Sequence, residues 1–159
     1  MLRRPFLQLG GLAALAAWLP VARAHHGWSS FDQGRPLYLE GRAVEVKWRN
    51  PHVELVLEAR QPLVLPADLA QRTLPAQSAA VDGQGLLAKA QLPTRRDRRW
   101  EIELAPLSRV QQWQVPEITV GTELALLGFT FSGEKGAAVF RAEYLFLGGK
   151  VYGMRSSPT

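Results

Sequence analysis

From residue 37 onward, apolar and polar residues alternate over most of the chain, which is the pattern of half-buried β-strands. Leu37, Leu39, Gly41 and Ala43 share one parity, whereas Val44, Val46 and Trp48 share the other. This change of parity predicts a β-bulge within one long first strand. The strand should end at Asn50-Pro51, because proline lacks a backbone donor and restricts the residue before it.

Further strands follow from the same alternation. The predicted segments are residues 53–59, 100–104, 123–131, 139–147 and 151–154, with a short helix over 106–113 between the third and fourth strands. Three strands, a helix and two more strands, with a coiled first strand, are the order of a five-stranded oligonucleotide/oligosaccharide-binding barrel. The sequence therefore predicts an all-β fold with one short helix and an OB-like barrel; a small β-sandwich is the alternative.

Residues 61–99 interrupt this pattern. They contain four prolines and the turn Asp82-Gly83, and no strand period is sustained, although Leu69 to Leu74 have the spacing of a helical turn. We expect a long inserted loop that is flexible relative to the barrel. Four arginines close the segment (Arg95, Arg96, Arg98 and Arg99), a pattern typical of a solvated loop end.

The N-terminus has the layout of an export signal. Arg3 and Arg4 precede an apolar stretch, and Ala22-Arg23-Ala24 has the small-x-small pattern of a cleavage site. Paired arginines are also found in twin-arginine signals, so both general secretory and twin-arginine export remain open. We expect residues 1–24 to be removed, leaving residues 25–159 as one domain in the periplasm of a Gram-negative type of cell, without a membrane span.

Charge and cysteine content exclude several classes of function. The +5 net charge of the whole chain falls to +2 in residues 25–159, which contain 16 basic and 14 acidic residues. A nucleic-acid partner is therefore not expected. The absence of cysteine excludes disulfides, thiolate metal sites and a cysteine nucleophile. No phosphate-binding loop, dinucleotide fingerprint or serine-nucleophile elbow is present, and no catalytic residue is predicted.

The chain has three histidines: His25, His26 and His52. Cleavage after Ala24 would free the α-amine of His25, which could chelate a metal together with its own ring. A second imidazole would complete a three-nitrogen brace, and these ligands suit Cu(II) best among common divalent ions. In a competing arrangement the amine, the intervening amide nitrogen and the ring of His26 hold the ion. His52 could instead simply bond a turn carbonyl.

A recurring set of short motifs surrounds these histidines: His25-His26-Gly27-Trp28, Phe31-Asp32, Val46-Lys47-Trp48 and Asn50-Pro51-His52. In this respect the chain resembles a family of small exported bacterial proteins defined as a domain of unknown function. The resemblance covers residues 25–59 and, more loosely, 100–154. It implies export and a small β domain but no particular activity, and the insertion departs from the shorter hairpin of the family.

Three functions are compatible with these features. The first is a periplasmic, non-enzymatic module that binds a small molecule or metal, with Trp28, Asp32, Trp48 and Asn50 as ligand-binding residues and His25, His26 and His52 as metal ligands. The second is a copper carrier or copper-dependent enzyme that uses the histidine brace. The third is an accessory protein that docks a partner protein through a strand edge or the insertion.

Overall fold

The computed structural model describes residues 27–159, so the predicted signal sequence, His25 and His26 lie outside the described part of the chain. Within that part, the strands are β1 (Leu37–Lys47), β2 (His52–Ala59), β3 (Arg99–Pro106), β4 (Glu123–Phe129), β5 (Val139–Leu147) and β6 (Lys150–Gly153). The α-helices are α1 (Gly83–Lys89) and α2 (Leu107–Gln112), and 3-10 turns lie at Trp28–Ser30, Leu69–Gln71 and Ser132–Glu134. Over residues 27–159, no helix is both long and apolar enough to cross a bilayer.

The sheet closes into a five-stranded barrel in the order β1-β2-β3-β5-β4, because β3 and β5 pair in parallel. The other neighbouring strands pair antiparallel, and β6 pairs with the second half of β5. Closure through β3 and β5 distinguishes this architecture from a sandwich of two sheets. The predicted all-β, OB-like barrel is confirmed, with α2 in the predicted place between the third and fourth strands.

The predicted bulge lies in β1. Ala43 pairs with Leu57 and Glu45 with Val56, so Val44 is the extra residue on β1. Gly41 lies just before it, and a Cβ at this position would be 2.1 Å from the carbonyl oxygen of Glu58. Glycine is thus required where β1 bends tightly against β2.

The barrel interior is filled by the apolar residues that the alternation predicted. Every second residue of β2 faces inward, from Val53 to Ala59. The best-buried members of this core come from all five barrel strands and α2: Leu39, Leu57, Leu104, Val110, Leu126 and Phe140, each 0% exposed. Trp100 also lies in this core at 1% exposure, which assigns its ring to packing.

The segment between β2 and β3 differs from the sequence prediction. The expected irregular loop contains the 3-10 turn Leu69–Gln71 and α1, and it packs across the outer face of the sheet. Leu69 and Leu87 are buried there against Tyr38, Leu127 and Tyr144, which point away from the barrel interior. The sequence pattern concealed this layer because its apolar residues come from several short pieces, none of which sustains a period.

Candidate functional site

The outer face of the barrel carries a row of charged side chains across three strands. Glu54 on β2 pairs with Glu103 on β3, and Glu103 pairs with Arg141 on β5. His52 is the next outward residue on β2, because the buried positions of this strand alternate from Val53 onward. His52 is partly buried, and the residue takes part in an interaction within the fold. Neighbouring strands are about 4.8 Å apart, so Arg141 lies about 10 Å across the sheet from β2.

Each charge in this row has a partner. The Arg141 guanidinium donates to Glu103 at 2.9 Å, and both side chains are mostly buried, at 9% and 13% exposure. Glu54 accepts from the Lys47 ammonium at 3.1 Å. The row is therefore held in place by ion pairs, in which Lys47 balances Glu54 and Arg141 balances Glu103.

Trp28 lies directly over this end of the sheet. Its ring is 3.9 Å from the Arg155 guanidinium carbon and 4.9 Å from that of Arg141, both within cation–π range. It also meets Phe129 edge-on, with 6.4 Å between the ring centroids. Through these contacts Trp28 attaches the N-terminal segment, residues 27–36, to the outer face of the barrel.

The ion pair between Glu143 and Arg155, which lies beneath Trp28, was not predicted from the sequence. Glu143 on β5 is fully buried and accepts from the Arg155 Nε at 2.8 Å and from the Gln77 amide at 3.2 Å. The signal was nevertheless present, since Arg141 and Glu143 are two charges placed two residues apart in an otherwise apolar strand. Buried charges are retained where they are paired and hydrogen-bonded, as they are here.

Arg109 on α2 adds a third guanidinium near Arg141. It donates to the Met154 carbonyl at 3.2 Å. Burial and then the neighbouring charge of Arg141 lower the pKa of Arg109 below its usual value. α2 thus borders the same end of the outer face.

The other predicted ligand-binding residues lie in different surroundings. The Asp32 carboxylate accepts from the Gly34 amide at 3.2 Å, and the Asp32 amide donates to the Thr130 carbonyl, so this residue shapes a turn. Trp48 is partly buried against the barrel core, and Asn50 is exposed in the β1–β2 turn. The fold therefore places Trp28 over Arg141 on β5 and His52 at the start of β2, whereas Asp32 lies at the end of β4 and the Trp48 side chain packs on the core.

Over residues 27–159, no group of three His, Cys, Asp or Glu side chains is arranged to hold a metal ion. The metal set predicted from the sequence contains two histidines outside this range, so it stays a prediction. A groove of about 270 Å³ lies between the N-terminal segment and α1, with Asp82, Lys89 and Arg155 among its lining residues. This volume is slightly below the roughly 300–1,000 Å³ that sites for organic ligands usually measure.

Comparison with known proteins agrees with the sequence resemblance. No curated protein and no solved structure matches the chain. The matched stretch, residues 13–64, contains all three histidines together with β1 and β2. Over that stretch the chain matches the model of a family of unknown function, DUF6152, as expected from the resemblance to a domain of unknown function.

Proposed function

We propose that this protein is an exported binding module that holds a metal ion between its mature N-terminus and His52. The proposal rests on the position of Trp28, which lies over Arg141. Arg141 belongs to a row of outward-facing residues that continues through Glu103 and Glu54 towards His52. His25, which supplies two nitrogens of the brace, precedes Trp28 by three residues, and three residues of extended chain span at most about 11 Å. This reach is comparable to the spacing of about 10 Å between Arg141 and β2, so chain length permits the His25 nitrogens to approach β2.

The two carboxylates on the outer face of β2 and β3 are each paired with a cation, Glu54 with Lys47 and Glu103 with Arg141. Glu54 and Glu103 lie on the same outer face, and both are substantially removed from solvent, with side chains 21% and 13% exposed. A carboxylate that hydrogen-bonds an imidazole ligand strengthens metal binding by that ligand. An α-amine and imidazoles prefer Cu(II) among the common divalent ions, so Cu(II) is the ion to test first.

Two ligand sets remain to be distinguished. In the brace, the ion is held by the α-amine and ring of His25 and by His52. In the competing set, it is held by the α-amine, an amide nitrogen and His26, all within the first two residues of the mature chain. Only the brace involves the barrel.

Matched single substitutions separate these sets. Copper affinity is measured by competition titration on mature protein carrying His52→Ala or His26→Ala, with Lys89→Ala as a surface control. The brace predicts that His52→Ala weakens binding at least about tenfold, because one of three nitrogens is lost. His26→Ala and Lys89→Ala should stay close to the unmodified protein. A loss confined to His26→Ala would contradict the brace, and no binding by the unmodified protein would contradict the metal function itself.

A small-molecule site in the groove beside Arg155 is the second candidate. It is favoured by the charged lining from Asp82, Lys89 and Arg155, which could bind a ligand carrying both charges. Screening a library of small zwitterionic compounds by thermal shift, with Lys89→Ala as the test variant, addresses it separately from copper binding.

A further inference from the structure

Two guanidinium groups lie against the Trp28 ring, and a third lies close to them. The guanidinium carbons of Arg155 and Arg141 are 3.9 and 4.9 Å from the ring centroid. Arg109 on α2 approaches from the other end of the chain, because it donates to the Met154 carbonyl at 3.2 Å. These three arginines form what we call the arginine cluster.

Two members of the arginine cluster are neutralised by a buried carboxylate. Arg155, in the C-terminal segment (residues 154–158), contacts the Glu143 carboxylate at 2.6 Å, and Glu143 is fully buried. Arg141 donates to Glu103 at 2.9 Å, and both of these side chains are mostly buried. The charges of Arg155 and Arg141 are therefore compensated inside the fold.

Arg109 lacks a counter-charge of this kind. Over residues 27–159 its side chain forms no ion pair, and its hydrogen bond to Met154 ends on a neutral carbonyl. Burial, and then the charge of Arg141, lowers the pKa of Arg109, as expected for a partly desolvated cation beside another cation. Three guanidinium groups thus face two bound carboxylates, which leaves an excess of positive charge at Arg109.

Arg141 has a hydrogen-bond donor that the fold does not use. Its side chain is only 9% exposed, and its Nε is buried without a hydrogen-bond partner among residues 27–159. Burying a donor without an acceptor is costly, and native structures usually supply one. An anion with oxygen acceptors would satisfy this donor and compensate the charge of Arg109 at the same time.

The charge and shape of the arginine cluster favour a carboxylate. Its excess charge is that of a single guanidinium, which matches a monoanion, whereas sulfate carries two negative charges. Guanidinium groups also bind planar carboxylates through paired N–H donors. The Trp28 ring covers Arg141 and Arg155 on one side, and exclusion of water strengthens an ion pair formed beside it.

We propose that Arg109 and Arg141 form a binding site for the carboxylate group of a small organic acid, beside the Trp28 ring. This site is independent of the proposed metal site, because it requires neither the terminal amine nor His52. It gives the module a second class of ligand, which is anionic.

The test titrates metal-free mature protein with sodium acetate, while sodium chloride keeps the ionic strength constant. Proton–nitrogen NMR of the arginine side chains follows the Nε–H resonance of Arg141. This resonance should shift with acetate and saturate as expected for one site. The same titration with sodium sulfate should give weaker binding, since the second negative charge has no partner.

Arg109→Gln should weaken acetate binding about tenfold or more, because it removes a charged donor of the site. The variant should keep its unfolding temperature, since it also removes a like-charge contact and glutamine can still donate to Met154. Arg109→Lys keeps the charge but loses the planar donors, so its acetate affinity should be intermediate. Arg42→Gln is the control: Arg42 is 54% exposed and already paired with Glu58 at 3.0 Å, so acetate affinity should not change.

Two results would overturn the site itself: an Arg141 resonance that acetate does not shift saturably, or equal acetate affinity in Arg109→Gln and the unmodified protein. Tighter binding of sulfate than of acetate would overturn the assignment to a carboxylate. None of these titrations contains copper, so their failure would leave the proposed metal function untouched.

Discussion

At the scale of single residues, Glu134 joins three parts of the chain that are distant in sequence. Its carboxylate, only 4% exposed, accepts from the backbone amides of Thr94 and Arg95 at 2.9–3.0 Å and from the Arg35 guanidinium. The contact links the end of the insertion and the N-terminal segment to the turn between β4 and β5. Burial disfavours the charged form, but these donors outweigh it and lower the pKa of Glu134 from 4.5 to about 2.

This shift predicts a dependence of stability on pH. Because the folded-state pKa lies below the unfolded value, the contribution of Glu134 is complete above about pH 5 and is lost as the pH falls towards 2. A difference of this size corresponds to about 3 kcal/mol of unfolding free energy as an upper estimate. Glu134→Gln should lower the unfolding free energy by about 1–3 kcal/mol at pH 7. It should also make the unfolding free energy less dependent on pH between about pH 5 and pH 2. Urea unfolding at pH 7, 5 and 3 measures both effects.

Glu123→Gln serves as the control for this experiment, since Glu123 is 63% exposed and its ion pair with Arg60 spans 3.6 Å. Exposed pairs of this kind contribute little. If both variants lose stability equally, or if Glu134→Gln keeps the full acid dependence, the account of Glu134 is contradicted.

Single residues also mark the limit of prediction from sequence. Trp100 begins the predicted third strand, and its ring lies in the barrel core with the other inward residues of that strand. The partners of Trp28 could not be predicted, because Arg141 and Arg155 meet it only after β5 and the C-terminal segment are folded. Alternation tells which side of a strand a residue faces, but it does not tell which distant segment covers that side.

At the scale of elements, the insertion forms an outer layer on the barrel. Tyr38 and Tyr144 are each 2% exposed although both lie on the outer face, because Leu69 and Leu87 cover them. Burial of Tyr38, followed by its hydrogen bond to Glu40, raises the pKa of its phenol to about 12. A side chain of the barrel sheet is thus removed from water by the segment that sequence reasoning treated as a loop.

We expect this packing to make the insertion a part of the stable fold. Leu87→Ala should lower the unfolding free energy by about 2–4 kcal/mol, as expected for truncation of a fully buried leucine. Val64→Ala, in the same insertion but 62% exposed, should change it by less than about 0.5 kcal/mol. Chemical denaturation of both variants provides the comparison. If Leu87→Ala is as mild as Val64→Ala, the segment is the flexible loop that the sequence predicted.

The strands were more predictable than the insertion for a physical reason. Each barrel strand has one face towards a single core, so its apolar residues repeat with a period of two over most of its length. The insertion covers the barrel with short pieces in different backbone conformations. α1 begins at an aspartate cap, where Asp82 accepts from the Gly85 amide at 2.9 Å, but seven residues are too few to establish a helical period.

At the scale of the whole molecule, the order of the elements was sufficient to predict the barrel. A long, bulged first strand can pair with β2 along one edge and β4 along the other, and α2 separates β3 from β4. Closure then follows when β5 reaches β3. The outer face is different, because its chemistry depends on the N- and C-terminal segments that cross it, and their positions leave no periodic signal in the sequence.

The central claim is that the mature N-terminus and His52 together form a metal site. Protein is exported to the periplasm, purified from it, and checked by intact mass to begin at His25. It is then compared in Cu(II) titration and electron paramagnetic resonance with protein carrying one extra residue before His25. The account predicts one-to-one binding through nitrogen ligands by the native form, fading in acid as amine and imidazole take up protons. It predicts severe loss in the extended form, whose terminal amine has become an amide. Equal copper binding by the two forms would contradict it.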